Sequence, residues 1–183
     1  AVGGSAIVAD ALGLVAEPDW LAFAGFDRYR RPLWLHVDAA RAWLRMRDEA
    51  RQVAARFRPE YFSIGNEVNS VYEWLGPAAF DDLASLEKVL YQTVKAVSPS
   101  TKVIVVLSYS QLVDLPGAPR FHLVDKLAGA YDVLGITTYP WKKYAAPKDM
   151  PADYYTRLAK HTNRPLGFTE IAWSSDSSQG GSE

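Results

Sequence analysis

The six residues Lys102-Val-Ile-Val-Val-Leu107 form an almost unbroken β-branched run. A strand with one wet face alternates apolar and polar residues; a run like this one is buried on both faces, as in a parallel sheet covered by helices. The flanking segments agree with that reading. Asp38 can cap a segment through Phe57 in which Ala39, Ala40, Trp43, Leu44, Met46, Ala50 and Val53 recur at three- and four-residue spacing, which predicts an amphipathic helix stopped by Pro59. Tyr61 to Gly65 reads as a short buried strand. Ala78 to Ala96 reads as a helix with Phe80, Leu83, Leu86, Val89, Leu90 and Val94 along its apolar stripe, and Ser98-Pro99-Ser100 is the break before the β-branched run.

The unit recurs. Phe121 to Ala130 reads as a short helix, Val133 to Thr137 as a strand, Ala152 to His161 as a helix and Leu166 to Thr169 as a strand. Strand centres near Ile64, Val105, Gly135 and Phe168 are 41, 30 and 33 residues apart, the spacing of consecutive βα units. Val2 to Val8 reads as one earlier strand, and Ser174 to Glu183 as a loose Ser/Gly-rich tail. A chain of 183 residues with 49% hydrophobic residues can bury one sizeable core. A closed (β/α)₈ barrel takes ~250 residues, and an open doubly wound sheet carries a Gly-rich phosphate turn after its first strand, which this chain lacks. The fold expected is therefore α/β, a fragment of a (β/α)₈ TIM barrel covering about strands 3 to 7, with further strands before Ala1 and after Glu183. Residues 1–183 would then be one partial catalytic domain.

Composition removes several function classes. Twenty Lys and Arg against 21 Asp and Glu give 20 − 21 = −1, too little positive charge to draw nucleic acid or an anionic membrane. The absence of cysteine excludes disulfides, thiolate metal sites and thiol nucleophiles. No apolar stretch approaches the ~20 residues of a membrane span, and the start at Ala1 has no leader pattern, so either a leader precedes Ala1 or the chain is part of something longer. No metal or cofactor is expected, and the oligomeric state is open.

The carboxyl ends of barrel strands face the active site, so polar strand ends are the informative positions. Two of them end in glutamate, Phe62-Ser-Ile-Gly-Asn-Glu67 and Leu166-Gly-Phe-Thr-Glu170, and Gly135-Ile-Thr-Thr-Tyr139-Pro140-Trp141 lies between them. Either glutamate alone could be solvated or cap the next helix. The pair, three βα units apart and at the same point of each unit, suits glycosidic cleavage, in which one carboxyl protonates the leaving oxygen and the other attacks the anomeric carbon. Strands three steps apart in an eight-stranded ring face each other across the mouth, where long side chains can converge to the ~5–5.5 Å separation of a retaining enzyme.

Gly65-Asn66-Glu67, Tyr139-Pro140, and Glu170 with Trp173 resemble the strand ends of clan A retaining glycoside hydrolases, which are (β/α)₈ barrels. Within that clan Ser63-Ile-Gly-Asn-Glu-Val-Asn69 and Gly135-Ile-Thr-Thr-Tyr-Pro140 are most similar to arabinogalactan endo-β-1,4-galactanases, over roughly Arg58 to Ser175. The resemblance implies Glu67 as acid/base on the fourth strand and Glu170 as nucleophile on the seventh. It implies that Asn66 hydrogen-bonds the sugar 2-hydroxyl and that Tyr139, on the sixth strand, orients Glu170. An oligo- or polysaccharide would be the substrate, and a secreted or periplasmic protein is expected in preference to a cytoplasmic one.

Trp141 and Trp173 follow their strands closely and can stack on sugar faces or pack in the core. Trp74, in an expected loop after Glu67, has a similar claim. His36, His122 and His161 lack metal spacing and read as surface or capping residues; Glu73 and Asp132 read as solvated. Ser108 and Ser110 lack the Gly-x-Ser-x-Gly elbow of a serine nucleophile. Two other functions compete. A non-catalytic carbohydrate-binding barrel would keep the aromatics without turnover. A barrel enzyme for phosphorylated metabolites would use Ser174 to Ser182 as its phosphate loop, although Leu166 to Glu183 contains no Lys or Arg.

Overall fold

A computed structural model describes residues 39–173. The expected Val2–Val8 strand, the Asp38 cap, His36 and the Ser174–Glu183 tail lie outside the described residues. Helix α1 (Ala39–Phe57) is amphipathic as its spacing predicts, with Ala50 and Ala54 buried and Trp43, Met46 and Val53 packed against the core. Leu44, assigned to the stripe, is half exposed. The helix closes at Arg58, whose φ of 42° is left-handed and whose N–H donates to the Ala54 carbonyl at 3.0 Å; Pro59 then prevents continuation.

Strand β1 (Tyr61–Gly65) leads into helices α2 (Ser70–Leu75) and α3 (Pro77–Val97), followed by strand β2 (Lys102–Ser108). The buried stripe of α3 runs through Phe80, Leu83, Ala84, Glu87, Leu90 and Val94. Val89, expected in that stripe, is 44% exposed, because it lies nine residues or about two and a half turns beyond Phe80 and so on the opposite side. Glu87 occupies the apolar face instead.

After helix α4 (Tyr109–Val113) the expected Phe121–Ala130 helix shortens to α5 (His122–Lys126), and the chain turns at Gly129, φ 85°, toward strand β3 (Val133–Thr138). The helix expected over Ala152–His161 is a 3₁₀ segment, Thr156–His161. The Tyr154 carbonyl, which would accept Leu158 N–H in an α-helix, takes the Tyr109 hydroxyl and Arg157 Nε instead, and Leu158 N–H bonds the Tyr155 carbonyl in 3₁₀ fashion. Strand β4 (Leu166–Ile171) follows.

The four strands form one sheet in the order β1-β2-β3-β4, every pair parallel. On β2, Val103, Val105 and Leu107 on one face are fully buried and Val106 on the other is 2% exposed, as the β-branched run predicts, whereas Ile104 is only half-buried. Strand β4 departs from that rule, with Phe168 53% and Ile171 58% exposed; among the described residues β3 is its one neighbour in the sheet. At the amino end of the sheet Asp132, read as solvated, is instead a junction. It accepts from Val103 N–H at 3.0 Å, Lys95 Nζ at 3.1 Å and the Tyr91 hydroxyl at 3.0 Å. Burial alone would raise its carboxyl, but these donors outweigh burial and hold it below the usual range. Among the described residues no helix is long and apolar enough to cross a membrane.

Candidate active site

The parallel register aligns Ser108 of β2, Thr137 of β3 and Glu170 of β4 as cross-strand partners at the carboxyl end of the sheet. Side chains alternate along a strand, so Ser108 and Thr137 share a face with Val106 and Gly135, the pair one step below on β2 and β3, whereas on β4 a register shift comes just before the Thr137–Glu170 pair. Gly135 is required there: a Cβ would lie 2.9 Å from both Thr169 Cγ2 and Val106 Cγ2.

Glu67 enters this face from the end of β1. Its φ of 48° places a non-glycine residue in the left-handed region, a conformation costing about 1–3 kcal/mol that persists only where surrounding structure enforces it. The enforcement is visible on both sides. Val68 N–H donates to the Val106 carbonyl at 3.1 Å, and Ser70 N–H to the Glu67 carbonyl at 2.9 Å. Asn69, 1% exposed, grips the backbone of Ser108 twice, donating Nδ2 to its carbonyl at 2.9 Å and accepting its N–H at 2.8 Å. Thus anchored, Glu67 spans β2, and its Oε1 accepts a hydrogen bond from the Thr137 hydroxyl. Thr137 is 2% exposed and therefore fixed. Two strand spacings, about 10 Å, separate β1 from β3, and Glu170 lies one spacing beyond Thr137. Both glutamates therefore adjoin the same threonine, one by hydrogen bond and one by register.

Glu170 itself is exposed, and so is Asn66 at the β1 end. Tyr139 is half-buried just past β3, with Lys142 Nζ 4.9 Å from its ring centre. Trp141 is half-buried in the single 3₁₀ turn Pro140–Lys142, also beside Lys142 at 5.8 Å, and Trp173 is half-buried two residues beyond β4. Trp74 lies on α2 rather than in a loop and is 58% exposed. Glu73, read as solvated, pairs with Arg120. His122 packs edge-on against Tyr72, and His161 stacks on Phe121. Among the described residues no cluster of three or more His, Asp or Glu is arranged to hold a metal.

Sequence reasoning missed Thr137 and Asn69. Asn69 stood in the quoted Asn66-Glu-Val-Asn69 run, and Thr137 in the Thr-Thr end of β3, but neither spacing shows which backbone or carboxylate each would meet. The chain has no match among protein-family models and no significant match among curated proteins.

Proposed function

We propose that this protein is a retaining β-glycoside hydrolase acting on an oligo- or polysaccharide, with Glu67 as acid/base and Glu170 as nucleophile. The observation that carries the reading is Thr137, hydrogen-bonded to Glu67 and register partner of Glu170, next to which two glutamates from separate βα units stand at one end of the sheet. In the mechanism Glu67 gives its proton to the leaving oxygen while Glu170 attacks the anomeric carbon; Glu67 then takes a proton from water as that water releases the sugar. Thr137 steadies Glu67 in both steps. Asn66 and the half-exposed Trp141 and Trp173 supply polar and aromatic sugar contacts around the pair.

The same reading makes β1 to β4 the fourth to seventh strands of a (β/α)₈ barrel, and galactan the first polysaccharide to test. The all-parallel order and the exposed β4 support it. Aryl β-glycosides and a polysaccharide panel that includes β-1,4-galactan, assayed with the full-length parent, are the direct test. Release of a product with retained configuration is expected. Glycan binding without turnover would point to a carbohydrate-binding barrel and sink the enzymatic reading.

Thr137→Val removes the donor and preserves the β-branched shape of a strand residue. A hydrogen bond to a charged group contributes ~1.5–3 kcal/mol, so kcat/KM is expected to drop by about tenfold or more while the unfolding midpoint moves little. Unchanged kcat/KM would mean that Thr137 only packs.

A further inference from the structure

Glu87 projects from the buried stripe of α3 toward β1 and is 2% exposed. Its Oε1 lies so close beneath Gly65 that a Cβ there would meet it at 2.5 Å, and Val68 Cγ1 at 2.6 Å. Its Oε2 is buried without a hydrogen-bond partner. A carboxyl in an apolar stripe with one orphaned oxygen is destabilising in itself, and leucine would fill the position better. What distinguishes the position is its target. Gly65 is the last residue of β1, directly after the register shift between Ser63 and Gly65, and two residues before the left-handed Glu67.

We propose that Glu87 is a positioning residue whose uncharged carboxyl, wedged against Gly65, sets the strand end from which Glu67 projects, and that loss of its proton loosens that strand end. The inference rests on the reading of Glu67 as acid/base for its catalytic consequence, though not for its conformational one. An ionised carboxylate could not stay where Glu87 sits, against Gly65 and Val68 and one turn from Leu83, Ala84 and Leu90, without drawing in water or a donor. Among the described residues no charged or titratable group on α1, α2, β1, β2 or α3 counters that pressure: burial pushes its ionisation up to about 8.

The test follows backbone and carboxyl by NMR in the full-length protein as pH rises from about 6 to 10, in the native sequence and in Glu87→Gln. In the native protein the Glu87 carboxyl carbon and the Gly65, Asn66 and Glu67 amides are expected to titrate together with a midpoint near 8. In Glu87→Gln those amides are expected to stay still. A Glu87 carboxyl that titrates in the ordinary range, or amide shifts that persist in Glu87→Gln, would overturn the proposal, and the native titration alone decides the first point even if the variant folds poorly. Activity is the second readout. Native kcat/KM is expected to fall more steeply on the alkaline side of the Glu87 midpoint than that of Glu87→Gln, whose remaining alkaline limb belongs to the acid/base Glu67, a difference that a purely structural role would not produce. Coupled amide titration in a protein that turns over no glycoside would sustain Glu87 as the strut of the strand end while removing the hydrolase reading.

Discussion

Glu170→Gln in the full-length protein is expected to reduce turnover of β-glycosides by ~10⁴-fold or more while leaving folding intact. The amide is nearly isosteric with the carboxylate, and Glu170 is exposed at the edge strand, so no buried packing is disturbed. What the amide lacks is the charge and the nucleophilicity needed to form the glycosyl ester. Both glycosylation and the stabilisation of positive charge at the anomeric carbon disappear together. Far-UV circular dichroism and a denaturation curve establish that the variant is folded, after which the rate is the only variable. Wild-type-like activity in a folded Glu170→Gln protein would remove this residue from the mechanism.

Glu67→Ala separates the two half-reactions. Dinitrophenyl glycosides leave without protonation, so their first step is expected to survive, whereas hydrolysis of the glycosyl-enzyme, which needs a base, should slow by ~10²–10⁴-fold. A burst of dinitrophenol followed by a slow steady state is then expected, with the covalent intermediate visible by mass spectrometry. Azide needs no base and fits the space vacated by the carboxyl, so it should restore turnover and yield a β-glycosyl azide. Recovery of the α-azide from a β-glycoside would contradict double displacement, and the absence of any rescue in a folded variant would remove Glu67 as the acid/base. Because Thr137 donates to this carboxyl, Thr137→Val should reproduce a small part of the loss and gain nothing from azide.

The strands were legible because a fully buried strand is a property of a few adjacent residues: Tyr61 to Gly65 and the Lys102 to Leu107 run appear where their composition places them. The short connecting elements were less legible for a physical reason. Whether Thr156 to His161 winds as α or 3₁₀ is decided by the Tyr109 hydroxyl and the Arg157 guanidinium competing for one carbonyl, and Tyr109 lies 45 residues from Tyr154. The same holds for charged residues. Asp132 and Glu73 look alike in sequence to solvated carboxylates, and only tertiary partners on α3 and at Arg120 make them junctions. Glu67 and Glu170 stand out in the sequence because they follow expected strands. Glu87 was passed over because the apolar stripe of α3 closes around it without needing it.

The orphaned carboxyl of Glu87 also makes the folding of this chain an exchange of protons with the solvent. Its ordinary value is 4.5 and its folded value is about 8, so between those two pH values the native state holds a proton that the unfolded chain has released. A group raised on folding gives its full stabilisation below the unfolded value and loses it as pH climbs to the folded one. The contribution declines by about 1.4 kcal/mol per pH unit across the window and is flat above it. Asp132 acts in the opposite sense: its folded value lies below 3.8, so its share is complete above that pH and is lost on further acidification. The combined contribution of the two carboxyls, one beneath the carboxyl end of the sheet and one at its amino end, is therefore greatest between pH 3.8 and 4.5. From there up to about pH 8 the native state gives up part of its stability with every increment of alkali, as the consequence of burying one acid among leucines.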